Sequence, residues 1–366
     1  MLRPALVACL CLSLFTGCAT TGETVRFRET KSPAWSLEDT NGGLVVAVSP
    51  ARQGMQLAGL SAAVVGAGFS AIVNAKHRRA VEAALEGYDA GAVFAEHLTG
   101  RLAETMGADL ARVEPLTGYA GYRNAAEAER ERFSVLGRNG HGQVLDVKMT
   151  YGIFGYEGTL VAKLDASLRS VPGGQEVWGD TLIASSEDVL ATDPLADPTK
   201  RMGGGFFSPR FTVEEGAIAQ WTGDGGATLR QRMEAAVQGA TSALLVSLGL
   251  ADEAQGNHVL GVEAMRRKDF KVAHDHFQKA LALQPDVVTT RNAMAVNLAH
   301  NGQLEEALRI TEALAASHPE YGPAHYNLAW WYAVEAGDVG KARASYERAL
   351  ALGMPAEKKV EKALGR

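Results

Sequence analysis

The stretch "HVLGVEAMRRKDFKVAHDHFQKALALQPD", residues 258–286, decides the fold of the C-terminal third of the chain. It sets small residues (Gly261, Ala273, Ala280) against large ones (Leu260, Phe277) and ends on Pro285. With a shift of 34 residues the pattern returns as Met294-Ala295, Leu298, Ala307, Thr311, Leu314 and Pro319. It returns again as Leu328-Ala329 and Tyr332, then, after one inserted residue, as Ala342, Tyr346 and Ala349. Three copies that share period and phase describe one helical hairpin repeated. The small residues let the two helices of a hairpin approach, the large ones fill the gap, and proline closes the second helix.

This pattern resembles the tetratricopeptide repeat. The resemblance implies an all-α solenoid over residues 251–366, with three repeats over about 254–355 and "AEKKVEKAL" (356–364) as a polar capping helix. It also implies a concave partner-binding groove lined by His258, Val262, Arg266, Asn292, Val296, His300, Tyr326 and Trp330. Repeats that clamp a peptide's terminal carboxylate use Lys and Asn at several of these positions. That set is absent here, which disfavours a carboxylate clamp. Trp330 fits groove and core equally, and Trp331 is expected in the core.

Residues 42–250 are expected to form an α+β domain. "GGLVVAVSP" (42–50) is a first strand ended by proline, and residues 55–86 form a long helical stretch. Phe94, Leu98, Leu102 and Met106 recur at every fourth position, the spacing of an amphipathic helix over 89–106. "DLARVEP" holds a short strand and "RNAAEAERERF" a polar helix. Leu145, Val147, Met149 and Tyr151 alternate with polar residues, as do Leu160, Ala162, Leu164, Ala166 and Leu168. With "EVWGDTLIAS" these make an antiparallel three-strand meander, one face wet. Pro194, Pro198, Pro209 and Gly203–Gly205 argue against any regular element in 187–226, whose aromatics Phe206, Phe207, Phe211 and Trp221 are expected to fold back on the sheet. A helix follows from Ala227, with Leu229, Met233, Val237, Ala240 and Leu244 on one stripe. In element order and texture the region is similar to periplasmic α+β lipoprotein domains, such as those of the curli-secretion lipoprotein and penicillin-binding-protein activators.

The N-terminus "MLRPALVACLCLSLFTGC" carries a basic Arg3, an apolar stretch too short to span a bilayer, and Gly17-Cys18. It resembles a bacterial lipoprotein signal, with residues 1–17 removed and Cys18 diacylated, although Phe15 stands where that signal usually has Leu. Cys9, Cys11 and Cys18 are the only cysteines, so the mature chain keeps the one that carries lipid and has neither a disulfide nor a thiol nucleophile. Ala19 is not the Asp that often retains lipoproteins at the inner membrane. The resemblance thus implies an outer-membrane anchor facing the periplasm, with residues 18–41 as a tether. Loss of Arg3 takes the formal charge from −6 only to −7, and nothing suggests a nucleic-acid partner.

"AAVVGAGFSA" (62–71) has the glycine spacing of a dinucleotide site, Gly66-x-Gly68-x-x-Ala71. The fingerprint fails at its second half. Glu82, Glu86 and Asp89, the acids at the right distance, sit in a helical pattern with no strand to deliver them. Gly59, Ala63, Ala67, Ala71 and Ala75 instead recur every fourth residue, giving a helix over 57–75 one side of which is small enough for backbones to touch. It can pack internally, self-associate or enter a membrane.

The histidines are scattered, His274 and His276 face different sides of a helix, and no nucleophile elbow or phosphate loop is present. No cofactor, metal or catalytic residue is expected. The reading is a lipid-anchored envelope scaffold that binds a protein or peptide partner through the repeat groove. The alternatives are an oligomeric outer-membrane secretion or pore component assembled through residues 57–75, a homo-oligomer, and an envelope hydrolase.

Overall fold

A computed structural model describes residues 32–46, 77–107, 110–119, 121, 124–154, 158–192 and 215–366. The expected signal peptide, Cys18, the small-residue helix at 57–75 and Phe206, Phe207 and Phe211 lie outside them. The chain runs β1 (Ala34–Val46), helical residues 77–84 (α1), α2 (Ala90–Met106), β2 (Ala111–Arg112), α3 (Ala125–Arg138), β3 (Gln143–Phe154), β4 (Thr159–Ser170) and β5 (Glu176–Ser185). α4 (Glu215–Thr222) and α5 (Ala227–Ser247) complete the sheet module. The strands form one five-stranded sheet in the order β2-β1-β3-β4-β5.

β3, β4 and β5 are the expected meander, antiparallel throughout: β3 and β4 keep one register from Gln143↔Ser170 to Phe154↔Thr159, and the β4–β5 ladder shifts once, between Leu168 and Arg169. β1 departs from expectation in two ways. It pairs parallel to both β2 and β3, because the helices between β1 and β3 return the chain to the same end of the sheet before the next strand starts. It also begins at Ala34, so residues 34–41 are strand and not tether. Trp35 (2% exposed) and Leu37 (7%) face the core, while Ser36 and Glu38 face the opposite side, a period-two pattern that composition alone disguises as a polar linker.

Local chemistry places the helices. The Asp89 carboxylate accepts from the Ala92 N–H at 2.9 Å to start α2, and Gly107 ends it in the left-handed region at φ 64°. Asn124 caps α3 by accepting from Glu127 N–H. α2 (Phe94, Leu98, Leu102) and α5 (Leu229, Met233, Val237, Ala240, Leu244) bury their stripes on one face of the sheet, against Leu145, Met149, Leu164 and Leu182. α3 sets Phe133 and Leu136 on the other face against Ala34 and Val144.

The expectation that residues 187–226 hold no regular element is corrected by α4. Its Ile218 and Trp221, three residues apart, share one side and are buried in the main core. The Trp221 indole N–H donates to Gly158 O at 2.8 Å, so this aromatic does fold back on the sheet.

The C-terminal region is helical throughout: α6 (Ala254–Arg266), α7 (Phe270–Leu283), α8 (Val288–His300), α9 (Leu304–Ser317), α10 (Gly322–Trp330), α11 (Val339–Ala351) and α12 (Lys358–Ala363). A Cβ on Gly261 would stand 2.5 Å from the Phe277 ring, the close approach that the small-against-large pattern encodes. The residue inserted in the third repeat is absorbed by a π-helical turn, Trp331–Ala336, which carries one extra residue per turn and keeps the next helix in phase.

The repeats are continuous with the sheet module. Val259 and Leu260 of α6 belong to the same core as the strands, and α5 packs against both the sheet and α6. At that junction a Cβ on Gly256 would meet Ser242 O at 2.5 Å, so the helix backbones nearly touch.

Candidate functional site

After β5 the chain does not turn away from the repeats. Ser186 makes the last ladder-like bond, donating its N–H to Leu160 O at 2.9 Å, and Glu187 accepts from the Thr159 hydroxyl. Residues 187–190 then run without regular structure into the concave face of the repeats.

There two asparagines read the backbone of this strap. Asn292 of α8 donates its amide N–H to Val189 O at 2.8 Å. Asn327 of α10 donates to the same oxygen at 3.3 Å and to Asn292 Oδ1 at 2.9 Å, and its own Oδ1 accepts from Ala191 N–H at 2.7 Å. Both asparagine side chains are fully buried, so each of these bonds replaces one that water would otherwise make. The strap's side chains are held too. Val189 is buried in one cluster with Val262, Met265, Val296 and Trp331. Asp188 accepts from the Tyr321 hydroxyl, and Thr192 and Tyr326 share a hydroxyl bond at 3.0 Å. Burial raises the pKa of both Asp188 and Tyr321.

The expected groove residues therefore divide. Val262, Asn292, Val296 and Tyr326 surround the strap. His258 instead bonds Thr290 Oγ1 at 3.1 Å and packs 6.0 Å from Phe277, and burial pushes its pKa down to about 4, so it is a neutral interhelical residue. Arg266 pairs with Glu263 and reaches Ile183 O at 3.4 Å, docking the first repeat on β5. His300 stacks on Phe270 at 5.7 Å and is exposed. Trp330 is half-buried beneath the Lys359 ammonium of α12 at 5.2 Å, while Trp331 is core, as expected. Sequence reasoning missed Asn327 and Tyr321. A signal existed: Asn327 shares a helix stripe with the apolar Pro323, Ala324, Trp330 and Trp331, and an amide on such a stripe demands a buried partner.

Two other polar groupings have their bonds turned inward. A hollow of about 520 Å³ on the outer sheet face is lined by Ser36, Glu38, Arg132, Asp146 and Lys148. Of its charges, Arg132 pairs with Asp146 and Lys148 with Glu38, while Asp165, Arg169 and Asp180, which also line it, pair with Lys163, Glu129 and Arg267 outside it. His97, Ser242 and Glu253 cluster between α2, α5 and α6, which bears on the hydrolase alternative. The Ser242 hydroxyl donates a hydrogen bond to the Glu253 carboxylate at 2.6 Å, so its O–H points at that carboxylate and not at His97 Nε2, which lies 3.1 Å from the same oxygen. Among the described residues no group of His, Cys, Asp and Glu has metal-site geometry, and no helix is long and apolar enough to cross a membrane.

A solenoid of stacked helical hairpins with an extended segment in its concave face is the architecture of a protein-interaction module. A family model described as "Tetratricopeptide repeat" matches residues 264–330, from the end of α6 through α10. Neither the curated proteins nor the solved structures compared gave a match.

Proposed function

We propose that the chain is a protein-interaction scaffold of the cell envelope. Lipid on Cys18 anchors it to the outer membrane on the periplasmic side, the sheet module stands beside the membrane, and the repeats hold an extended polypeptide. The observation that carries the interaction role is the Asn292–Asn327 pair, buried amides that bond a peptide backbone regardless of the side chains it bears. The tetratricopeptide match supports the same role. The anchor is supported by the N-terminal residues themselves, an apolar segment followed by Gly17-Cys18.

Two measurements test this reading. Cys18→Ser should move the protein from the membrane to the soluble fraction, and a variant that stays membrane-bound would remove the anchor. A photo-crosslinking amino acid at the exposed His300 should give a protein adduct in intact cells, and Asn292→Ala with Asn327→Ala should diminish it. No adduct, or one indifferent to both asparagines, would remove the groove.

A further inference from the structure

The groove is already filled, and its filling describes what fits it. We infer that Asp188–Thr192 is an internal ligand of the repeats, and that a partner gains the groove by displacing it with an extended segment of the same chemistry: an acidic residue, a β-branched apolar residue, any residue, a small residue and a hydroxyl. The inference rests on the interaction role proposed above and adds the partner's chemistry and the contest it must win.

Four observations lead here. The strap's backbone bonds to Asn292 and Asn327 go to side chains on the inner helices, so a chain from another molecule can make them equally well. Val189 is buried in one apolar cluster with Val262, Val296 and Trp331, surroundings that favour a branched aliphatic residue. The ends are polar: Asp188 meets the Tyr321 hydroxyl within electrostatic reach of Arg232, and Thr192 meets Tyr326. Leu190, between the two anchored residues, is only half-buried, and its side chain is the least constrained.

Displacement follows from the burial. Two amides and an apolar socket that are dry in the closed state are poor surfaces to leave open, so the groove exchanges occupants more readily than it empties. A ligand tethered in the same chain competes at an effective concentration of order millimolar, so a peptide with an intrinsic Kd of about 10 μM binds the closed protein roughly 100-fold more weakly.

The probe is a fluorescent peptide of residues 186–193, SEDVLATD, titrated into the full chain and followed by anisotropy. Val189→Asp places a charge in the socket and expels the strap. This variant is expected to bind the peptide about 100-fold more tightly than the parent. Adding Asn292→Ala and Asn327→Ala should abolish the gain, and a scrambled peptide should not bind. Val189→Ala, which only loosens the socket, should fall between parent and Val189→Asp; it decides the question if circular dichroism shows the charged variant unfolded. Equal affinity for parent and opened variants overturns the contest, and an opened groove that ignores the peptide or accepts the scrambled one overturns the chemistry. If the peptide fails while the His300 adduct persists in cells, the strap inference falls alone. Loss of that adduct is what removes the scaffold reading.

Discussion

Arg132 is 1% exposed, and its guanidinium is satisfied on every side: Nη1 donates to Asp146 Oδ2 at 2.9 Å, Nε to Glu114 O at 3.0 Å, and Nη2 to Asp146 Oδ1 and to the Ser36 hydroxyl at 3.3 Å. Burying such a pair adds little net stability, but removing one member leaves the other uncompensated. Arg132→Leu is therefore expected to cost about 3 kcal/mol in urea unfolding, the low end of the range because Asp146 keeps some contact with water. His258 gives a prediction in pH. Its folded pKa is depressed to about 4, so the unfolded state binds the proton first as pH falls. Stability should be level above about pH 6.5 and decline below it by up to about 1.4 kcal/mol per unit until pH 4. The carboxyls of Asp188 and Glu263, raised by burial, act in the opposite direction over an overlapping range. The measurement is therefore the difference between parent and His258→Gln. That difference should change sharply from pH 7 to 4, and a flat one would count against a buried neutral imidazole.

Between elements, α5 and α6 meet at close backbone approach. Alanine is a better helix former than glycine by about 1 kcal/mol, and Gly256 lies inside a helix. Its missing Cβ, however, would stand 2.5 Å from Ser242 O and 2.7 Å from the carbonyl carbon, backbone that has no rotamer to yield. Gly256→Ala should therefore lower stability by about 1–3 kcal/mol instead of raising it, as thermal or urea unfolding would show. The same scale explains what was legible beforehand. Alternation over 143–185 and the 34-residue period each arise from a face repeated along one element, so the meander, the hairpins and even the extra residue of the π turn could be read locally. The parallel pairing of β1 to β3 and the strap could not. Both join residues about a hundred or more positions apart through contacts that leave no periodic trace: Trp35 against Leu145, Val189 against Asn292 and Asn327. "SEDVLAT" has the look of a loop because its partners lie in the repeats. Val262, Val296 and Tyr326 stand beside the strap at positions that the repeat dictates, whereas His258 and Arg266 are engaged in packing that the repeat does not dictate.

For the whole molecule, the sheet and the first repeat form one core, with Val259 and Leu260 packed among strand and α5 side chains. Heating should therefore show one cooperative transition shared by sheet and first repeat, with no separate melt of residues 251–366. That fragment alone would bare the α6 face and lose Val189 from the groove. It is expected to bind hydrophobic dyes and to scatter light, and a monomeric, cooperatively melting fragment would contradict the shared core. Because α5 is spliced into both halves and the strap ties β5 to α8 and α10, load applied at the far C-terminus reaches the sheet by two routes. Under tension in an optical trap the hairpins should peel stepwise from α12 inward, pause where the strap holds α10 and α8, and stall where α6 meets α5. Beyond that point further extension must strip the backing from the strands themselves, so the outer coils act as a spring and the spliced helix as its stop.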